Sequence, residues 1–174
     1  MSEEKQDPFQ NPPPRRVGVH ALITRGTQLL VVSRPYSVAV SRWGLPGGSA
    51  AANELPRRAL CRHLDERLSL RASAGRILVI DHVPEQPGLH REGTNYVYEV
   101  LLPDDAEPTV TKSGRFGEAR WVERAEVSNY VVDHSLRRIE QSLLASETGL
   151  FAELLLGVPL HSNRATTPTA KKNP

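Results

Sequence analysis

Residues 43–70 of the chain read WGLPGGSAAANELPRRALCRHLDERLSL, a glycine- and proline-rich loop that runs into a stretch with helical spacing. Pro56 suits the first turn of a helix, where its missing N–H costs nothing, and Asn53 is a plausible N-cap before it. Three leucines recur at intervals of four residues: Leu60, Leu64 and Leu68. This spacing predicts one buried face on a helix that spans about residues 54–68.

The other side of this helix is polar and carries the candidate site, with His63, Glu66 and Arg67. Glu66 and Arg62 lie four apart, which favours a surface ion pair worth under about 0.5 kcal/mol whether or not chemistry occurs. Glu54 lies near the predicted N-terminus of the helix, where its negative charge interacts favourably with the helix macrodipole whether or not chemistry occurs. We expect His63 to be a solvated histidine on this polar face.

The remaining sequence alternates between short apolar runs and polar loops. The runs that predict strands are 17–24, 28–33, 75–82, 94–102 and 118–122. The segments that predict helices are 125–130, 133–144 and a short one near 150–156. Strands, one central helix, more strands and terminal helices predict an α/β fold in which a mixed sheet is sandwiched by helices.

The length of 174 residues suits one domain with a sizeable core. Residues 1–15 and 161–174 combine charges with prolines and small polar residues, so we predict disordered tails on either side of a domain at 16–160. Lysine and arginine exceed aspartate and glutamate by 22 − 20 = 2, which indicates neither a nucleic-acid nor a membrane partner. Oligomeric state cannot be read from the sequence.

The single cysteine, Cys61, cannot form an internal disulfide. The N-terminal sequence MSEEKQDPFQNPPPRR has no apolar segment of the kind that a signal peptide requires. No window approaches the roughly 18 consecutive apolar residues of a membrane span. Together these features predict a cytoplasmic protein.

The stretch at 43–70 resembles the Nudix box of the MutT-like superfamily. That pattern runs glycine, five residues, glutamate, seven residues, arginine, glutamate, an aliphatic, any residue, two glutamates, any residue, glycine and an aliphatic. The residues that match it are Gly48, Glu54, Arg62, Leu64, Glu66 and Leu70. His63, Arg67 and Ser69 replace two glutamates and the glycine. The resemblance extends over about residues 17–130 and implies the Nudix-type α/β/α sandwich, with the box helix packed on a mixed β-sheet.

The resemblance also implies hydrolysis of a nucleoside diphosphate linked to another group, with Mg²⁺ or Mn²⁺ held by the box. The implied metal ligands are the Gly47 carbonyl, Glu66 and, further along the chain, Glu118. The implied catalytic residues are Glu66, Glu54 and Arg62. Arg67, and Arg34 in the segment VVSRPY, are the candidates for binding substrate.

The replaced glutamates leave two hypotheses open. A hard dication takes several oxygen ligands, so we expect weak metal binding here. An arginine at 4 Å would repel a dication by roughly 8 kcal/mol at an effective dielectric of 20, an upper bound because Arg67 can swing away. The first hypothesis is a divergent metal-dependent pyrophosphohydrolase. The second is a non-catalytic module in which Arg67 and Arg62 bind a small phosphorylated or nucleotide-like ligand directly.

Overall fold

A computed structural model describes residues 12–35, 43–88, 90–103, 105–112 and 115–160 of the chain. The strands are β1 (Arg16–Leu22), β2 (Thr24–Arg25), β3 (Gln28–Ser33), β4 (Trp43–Gly44), β5 (Gly47–Ser49), β6 (Ala74–Val83), β7 (Gly93–Val100), β8 (Ala119–Glu123), β9 (Ala152–Leu155) and β10 (Val158–Pro159). The helices are α1 (Pro56–Leu68), α2 (Asp133–Thr148) and a 3-10 helix at Arg124–Asn129. The predicted tails at 1–11 and 161–174 lie outside the described residues, and residues 12–15 are exposed.

The strands form two sheets. The larger sheet has the order β10-β9-β6-β7-β1-β5, and in it β1 pairs in parallel with β7 and antiparallel with β5. The smaller sheet joins β2, β3 and β4 in that order, with β8 also paired to β3. The predicted mixed sheet is therefore confirmed.

Helices cover both faces of the larger sheet. Successive residues of β1 point to opposite faces, so this strand contributes side chains to both apolar layers. Val19 and Ala21 pack towards α1, where the three leucines predicted to be buried are fully so. Leu22 packs on the other side with Ile139 of α2. The predicted α/β/α sandwich with the box helix on the sheet is confirmed.

The start of α1 differs from the prediction. The N-cap is Leu55, which is extended at φ −64° and ψ 134°, and no side chain caps the helix. A residue before proline is driven out of the helical region, so α1 begins at Pro56 and leaves Glu54 in the loop. Asn53 instead takes a left-handed conformation with φ 60°, and its prediction as N-cap was wrong.

The C-terminal region also differs. Helix α2 continues to Thr148 and ends at Gly149, whose φ of 75° is the left-handed conformation that closes helices. The short helix predicted near 150–156 was wrong, because this segment forms β9 and pairs in parallel with β6. An apolar run this short does not by itself distinguish a strand from a helix. The segment forms a strand because it pairs with the edge of β6, whose backbone groups would otherwise be unpaired.

Candidate functional site

The polar side of α1 faces strand β5, and together they form a surface that we call the box face: Gly47, Glu54, Arg62, Glu66 and Arg67. Strand β5 is placed here by its antiparallel register with β1, in which Val19 lies opposite Gly48. A side chain on Gly48 would contact the His63 imidazole ring, so only glycine lets the helix approach this closely.

The Arg67 side chain is fixed between two elements. Its Nη1 donates a hydrogen bond of 2.8 Å to the Gly47 carbonyl oxygen. Its guanidinium carbon also lies 5.3 Å from the centre of the Phe116 ring, within cation–π range. The loop that carries Phe116 is held to the end of α1, because Thr111 N–H donates to the Arg67 carbonyl and Thr111 Oγ1 donates to the Glu66 carbonyl. The Arg67 guanidinium is thus hydrogen-bonded to the Gly47 carbonyl oxygen, which the Nudix resemblance implies as a metal ligand.

Arg62 forms ion pairs with both glutamates of the box face. Its Nε and Nη2 donate to the two carboxylate oxygens of Glu54 at 2.7 Å each, and its Nη1 lies 3.3 Å from Glu66 Oε2. The hydrogen bonds from Arg62 and from the Ala51 N–H lower the pKa of Glu54 to about 2. The structure therefore brings the three residues predicted as catalytic together, but as an ion-paired cluster.

His63 is buried, with 3% of its surface exposed, so the prediction of a solvated histidine was wrong. Its Nε2 lies 2.9 Å from the Ser49 carbonyl, and its Nδ1 lies 3.4 Å from Arg62 Nη1. A carbonyl only accepts and arginine only donates, so Nε2 carries the proton and the ring is neutral. Burial lowers the pKa of His63, which favours the same form. His63 joins α1 to β5.

These groups do not fit a hard dication, which prefers several oxygen ligands. The Gly47 carbonyl already accepts from Arg67, and the Glu66 carboxylate pairs with Arg62. Glu118 pairs with Arg120 at 2.8 Å on an exposed surface. Within the described ranges, no cluster of three or more His, Cys, Asp or Glu side chains is placed to hold a metal ion. The ligand roles of Gly47, Glu66 and Glu118 stay predictions.

A second polar site lies on the other face of the larger sheet, beneath α2. It is a cavity of about 280 Å³, which we call the arginine cavity after three of its lining residues, Arg16, Arg34 and Arg138. Other polar residues that line it are His20, His90, Asn95 and His134. Gly48 and Ser49 of β5 also line it, so β5 lies between this cavity and the box face. Arg34, predicted to bind substrate, lies in the wall, and its Nη2 donates to the Leu45 carbonyl at 2.7 Å.

Sequence reasoning missed the other polar residues of this cavity. One signal was present in β1, where Arg16 and His20 lie on the face opposite to the buried Val19 and Ala21. Two polar residues on one face of an otherwise apolar strand indicate a site or an ion pair. The partners Asn95 and Arg138 lie on β7 and α2, and no spacing rule connects them to β1.

Comparison with known proteins gives a family match over most of the chain. The model of the NUDIX domain matches residues 14–143. "Putative 8-oxo-dGTP diphosphatase 2" of Mycobacterium tuberculosis is 38% identical over 89 residues, which cover 50% of this chain and 61% of that protein. The alignment thus spans about three fifths of the relative's length.

Solved structures show the same fold at low sequence identity. A MutT NUDIX hydrolase from Burkholderia pseudomallei superposes with a TM-score of 0.61 at 24% identity, covering 74% of this chain and 98% of that one. The NUDIX domain of Shewanella oneidensis NrtR, solved as a complex with ADP ribose, gives a TM-score of 0.64 at 18% identity, covering 84% and 99%. In the described part of the chain, no helix is long and apolar enough to cross a membrane.

Proposed function

Because the chain belongs to the NUDIX family, we propose that it binds a small nucleotide-like phosphorylated ligand through arginine side chains, without a metal ion and without hydrolysing it. One observation carries this proposal. The Arg67 guanidinium donates to the Gly47 carbonyl at 2.8 Å, at the position where the Nudix resemblance expects a metal ligand. A fixed positive charge at this position serves as a substitute for the ion in attracting phosphate.

An arginine substitutes for the ion in binding but not in chemistry. A guanidinium is planar and forms bidentate hydrogen bonds with phosphate oxygens, which gives affinity and orientation. It does not activate a bound water as a metal ion does. Glu54 is unsuited to act as a base, because it is paired with Arg62 and its pKa is lowered to about 2. These contacts support binding without turnover.

The placement of Arg67 supports a role in recognition. Its side chain is held by Gly47 and packed against Phe116, so little rotamer entropy is lost when a ligand binds. Arg62 is less suited to this role because its N–H groups already contact the carboxylates of Glu54 and Glu66. We therefore assign phosphate contact to Arg67 and a positioning role to Arg62.

Calorimetric titration with ADP-ribose, GDP and 8-oxo-dGTP, each with EDTA and with Mg²⁺ or Mn²⁺, tests the proposal. We expect at least one compound to bind equally well in EDTA and to be recovered intact by anion-exchange chromatography. Arg67→Ala should weaken binding by about 1.5–3 kcal/mol, which is over tenfold, and Arg67→Lys should recover only part of this loss. Arg71→Ala is the matched control, because Arg71 follows the same helix and its side chain is 94% exposed.

Two results would overturn the proposal. The first is binding that EDTA abolishes and that Arg67→Ala leaves unchanged, which would place a metal ion in the site. The second is metal-dependent release of phosphate or of a nucleoside monophosphate, lost in Glu66→Gln, which would make the chain a pyrophosphohydrolase like its named relative.

A further inference from the structure

The outer part of the larger sheet, formed by β6, β9 and β10, has two faces that are covered differently. On one face, Leu154 of β9 is completely buried in the apolar layer that includes Ile139 of α2. Successive strand residues point to opposite faces, so the next residue, Leu155, points away from α2. Helix α1 packs mainly against β1 and β5, and Leu155 remains 42% exposed. Among the residues that the structure describes, a helix thus covers this part of the sheet on one side only.

The strand register gives the composition of the uncovered side, which we call the open face. Val158 of β10 pairs with Leu155, and Leu160 follows two residues later on the same side; they are 50% and 45% exposed. The open face consists of these three residues and those that the register of β6 with β7 and β9 places beside them: Thr94, Tyr96, Ile80, His82 and Glu153. His82 Nε2 lies 2.8 Å from Glu153 Oε1. Adjoining apolar side chains that stay exposed in this way mark an interaction surface.

Strand β10 forms the edge of this sheet, but its backbone is poorly suited to pairing with a further strand. Leu160 N–H donates to the Glu153 carbonyl at 2.9 Å and therefore points inwards, to β9. The backbone groups of adjacent strand residues point in opposite directions, so Pro159 presents its backbone outwards, where proline has no N–H to donate. Proline at such a position disfavours pairing between sheet edges. We therefore expect a partner to pack on the open face rather than to extend the sheet.

The sequence that follows β10 is too polar to cover the open face. Residues 161–174 read HSNRATTPTAKKNP and contain no Val, Ile, Leu, Met, Phe, Tyr or Trp. A segment of this composition lacks the apolar surface that would offset the entropy cost of ordering it. An apolar surface of another molecule is therefore the more favourable cover.

We propose that the open face binds the open face of a second copy of this chain, in a twofold-symmetric contact between two sheets. A twofold contact uses the same patch on both copies, so the patch must be complementary to itself. The open face meets this condition because it contains both members of the His82–Glu153 pair. When the axis passes between them, His82 of each copy faces Glu153 of the other, and the apolar side chains of the two copies face each other. Two sheets that pack in this way lie about 10 Å apart.

The size of the open face sets the strength of this contact. The face spans four strands, β7, β6, β9 and β10, which at a spacing of about 4.8 Å make about 14 Å of sheet. Along each strand it takes two residues that lie about 7 Å apart. Such a patch is smaller than the roughly 800 Å² per partner of a standard stable interface. We therefore expect a reversible dimer with a dissociation constant in the micromolar range.

Sedimentation equilibrium of the full chain from micromolar to millimolar concentration tests the proposal. We expect the unmodified protein to change from monomer to dimer over this range. Val158→Arg should weaken the dimer at least about tenfold, because it places like charges close to each other across the twofold axis. Leu160→Arg is a second variant of the same kind, and both should leave the circular dichroism spectrum unchanged. Leu144→Arg is the matched control, because Leu144 is a leucine of similar exposure, 52%, on α2.

Methyl NMR spectra of the unmodified protein locate the contact without a substitution, since the signals of Leu155, Val158 and Leu160 should shift with protein concentration and that of Leu144 should not. A protein that stays monomeric up to millimolar concentration overturns the inference, whether residues 1–11 or a different protein covers the face. A dimer that Val158→Arg and Leu160→Arg weaken no more than Leu144→Arg does also overturns it. The inference is independent of the proposed function, because the open face contains no residue of the box face. We expect the dimer to form with or without a phosphorylated ligand.

Discussion

The box face and the arginine cavity share strand β5 but treat positive charge differently. On the box face, the cations have partners within the protein, since Arg62 pairs with two glutamates and Arg67 donates to a carbonyl. In the arginine cavity, the cations outnumber the carboxylates, and a histidine nitrogen is buried without a partner among the described residues. The two sites thus differ in charge balance, because carboxylates pair with Arg62 on the box face, whereas basic side chains are in excess among the described residues that line the arginine cavity.

The largest effect is expected from removing Asp81, a completely buried carboxylate that pairs at 2.6 Å with Arg138 of the arginine cavity. Asp81→Ala would leave Arg138 with an uncompensated buried charge, which costs about 3–5 kcal/mol of unfolding free energy. Urea denaturation at neutral pH measures this loss. Glu118→Ala removes an exposed ion pair and should cost no more than about 1 kcal/mol. Equal losses in the two variants would mean that water screens the cavity and that its excess charge has little consequence.

The second prediction reverses the charge that distinguishes the box face. Arg67→Glu releases the Gly47 carbonyl and places a carboxylate beside Glu66, so oxygen ligands replace a cation. We expect the unmodified protein to bind Mg²⁺ no more tightly than in the millimolar range, and we expect Arg67→Glu to raise this affinity at least about tenfold, or 1.4 kcal/mol. Calorimetry or Mn²⁺ electron paramagnetic resonance provides the measurement. Arg71→Glu, with the same change of charge beyond the helix end, should not produce this gain. An equal gain in both variants would reflect charge alone.

The third prediction uses pH to test the ion pairs of the box face. The pKa of Glu54 is lowered from 4.5 to about 2 in the folded chain, chiefly by Arg62. Its stabilising contribution is therefore present above about pH 4.5 and is lost as the pH falls towards 2. Denaturant melts over this range should show a weaker pH dependence in Glu54→Gln than in the unmodified protein. Identical pH profiles would show that the Glu54–Arg62 pair contributes nothing to folding.

The smallest effect concerns the end of the box helix, where Ser69 replaces the glycine of the Nudix pattern. Ser69 has φ 54° and ψ 30°, a left-handed conformation that favours glycine. Ser69→Gly should raise stability by about 0.5–1 kcal/mol, measurable as an increase in melting temperature. Ser73→Gly, in a nearby exposed loop, serves as the control. A decrease in melting temperature for Ser69→Gly would indicate that the serine side chain has a stabilising contact.

Sequence reasoning predicted the fold well because its signals are local. The leucine spacing of α1 and the run at Gln28–Ser33 report periodicity that the structure preserves. The helix predicted near 150–156 was wrong because the conformation of residues 152–155 depends on pairing with the edge of β6, which no local sequence pattern indicates. His63 was misplaced for a similar reason, since its burial depends on the close approach of α1 to Gly48.

The candidate site divides in the same way. The box residues were found because they are adjacent in sequence and resemble a known pattern. The arginine cavity was found only in part, through Arg34, because its residues come from β1, β7 and α2. Their proximity follows from the parallel pairing of β1 with β7, which a sequence pattern does not specify.

The sequence separation of their contacts predicts that the two sites form at different stages of folding. The Arg67–Gly47 contact joins residues 20 apart, whereas the Arg16–Asn95 contact joins residues 79 apart. Contacts between distant residues require the closure of long loops and generally form slowly. The arginine cavity should therefore be completed late, after the folding barrier. We expect substitutions in the cavity, such as Asp81→Ala, to speed unfolding and to leave the refolding rate almost unchanged, because they remove contacts that form only in the finished structure.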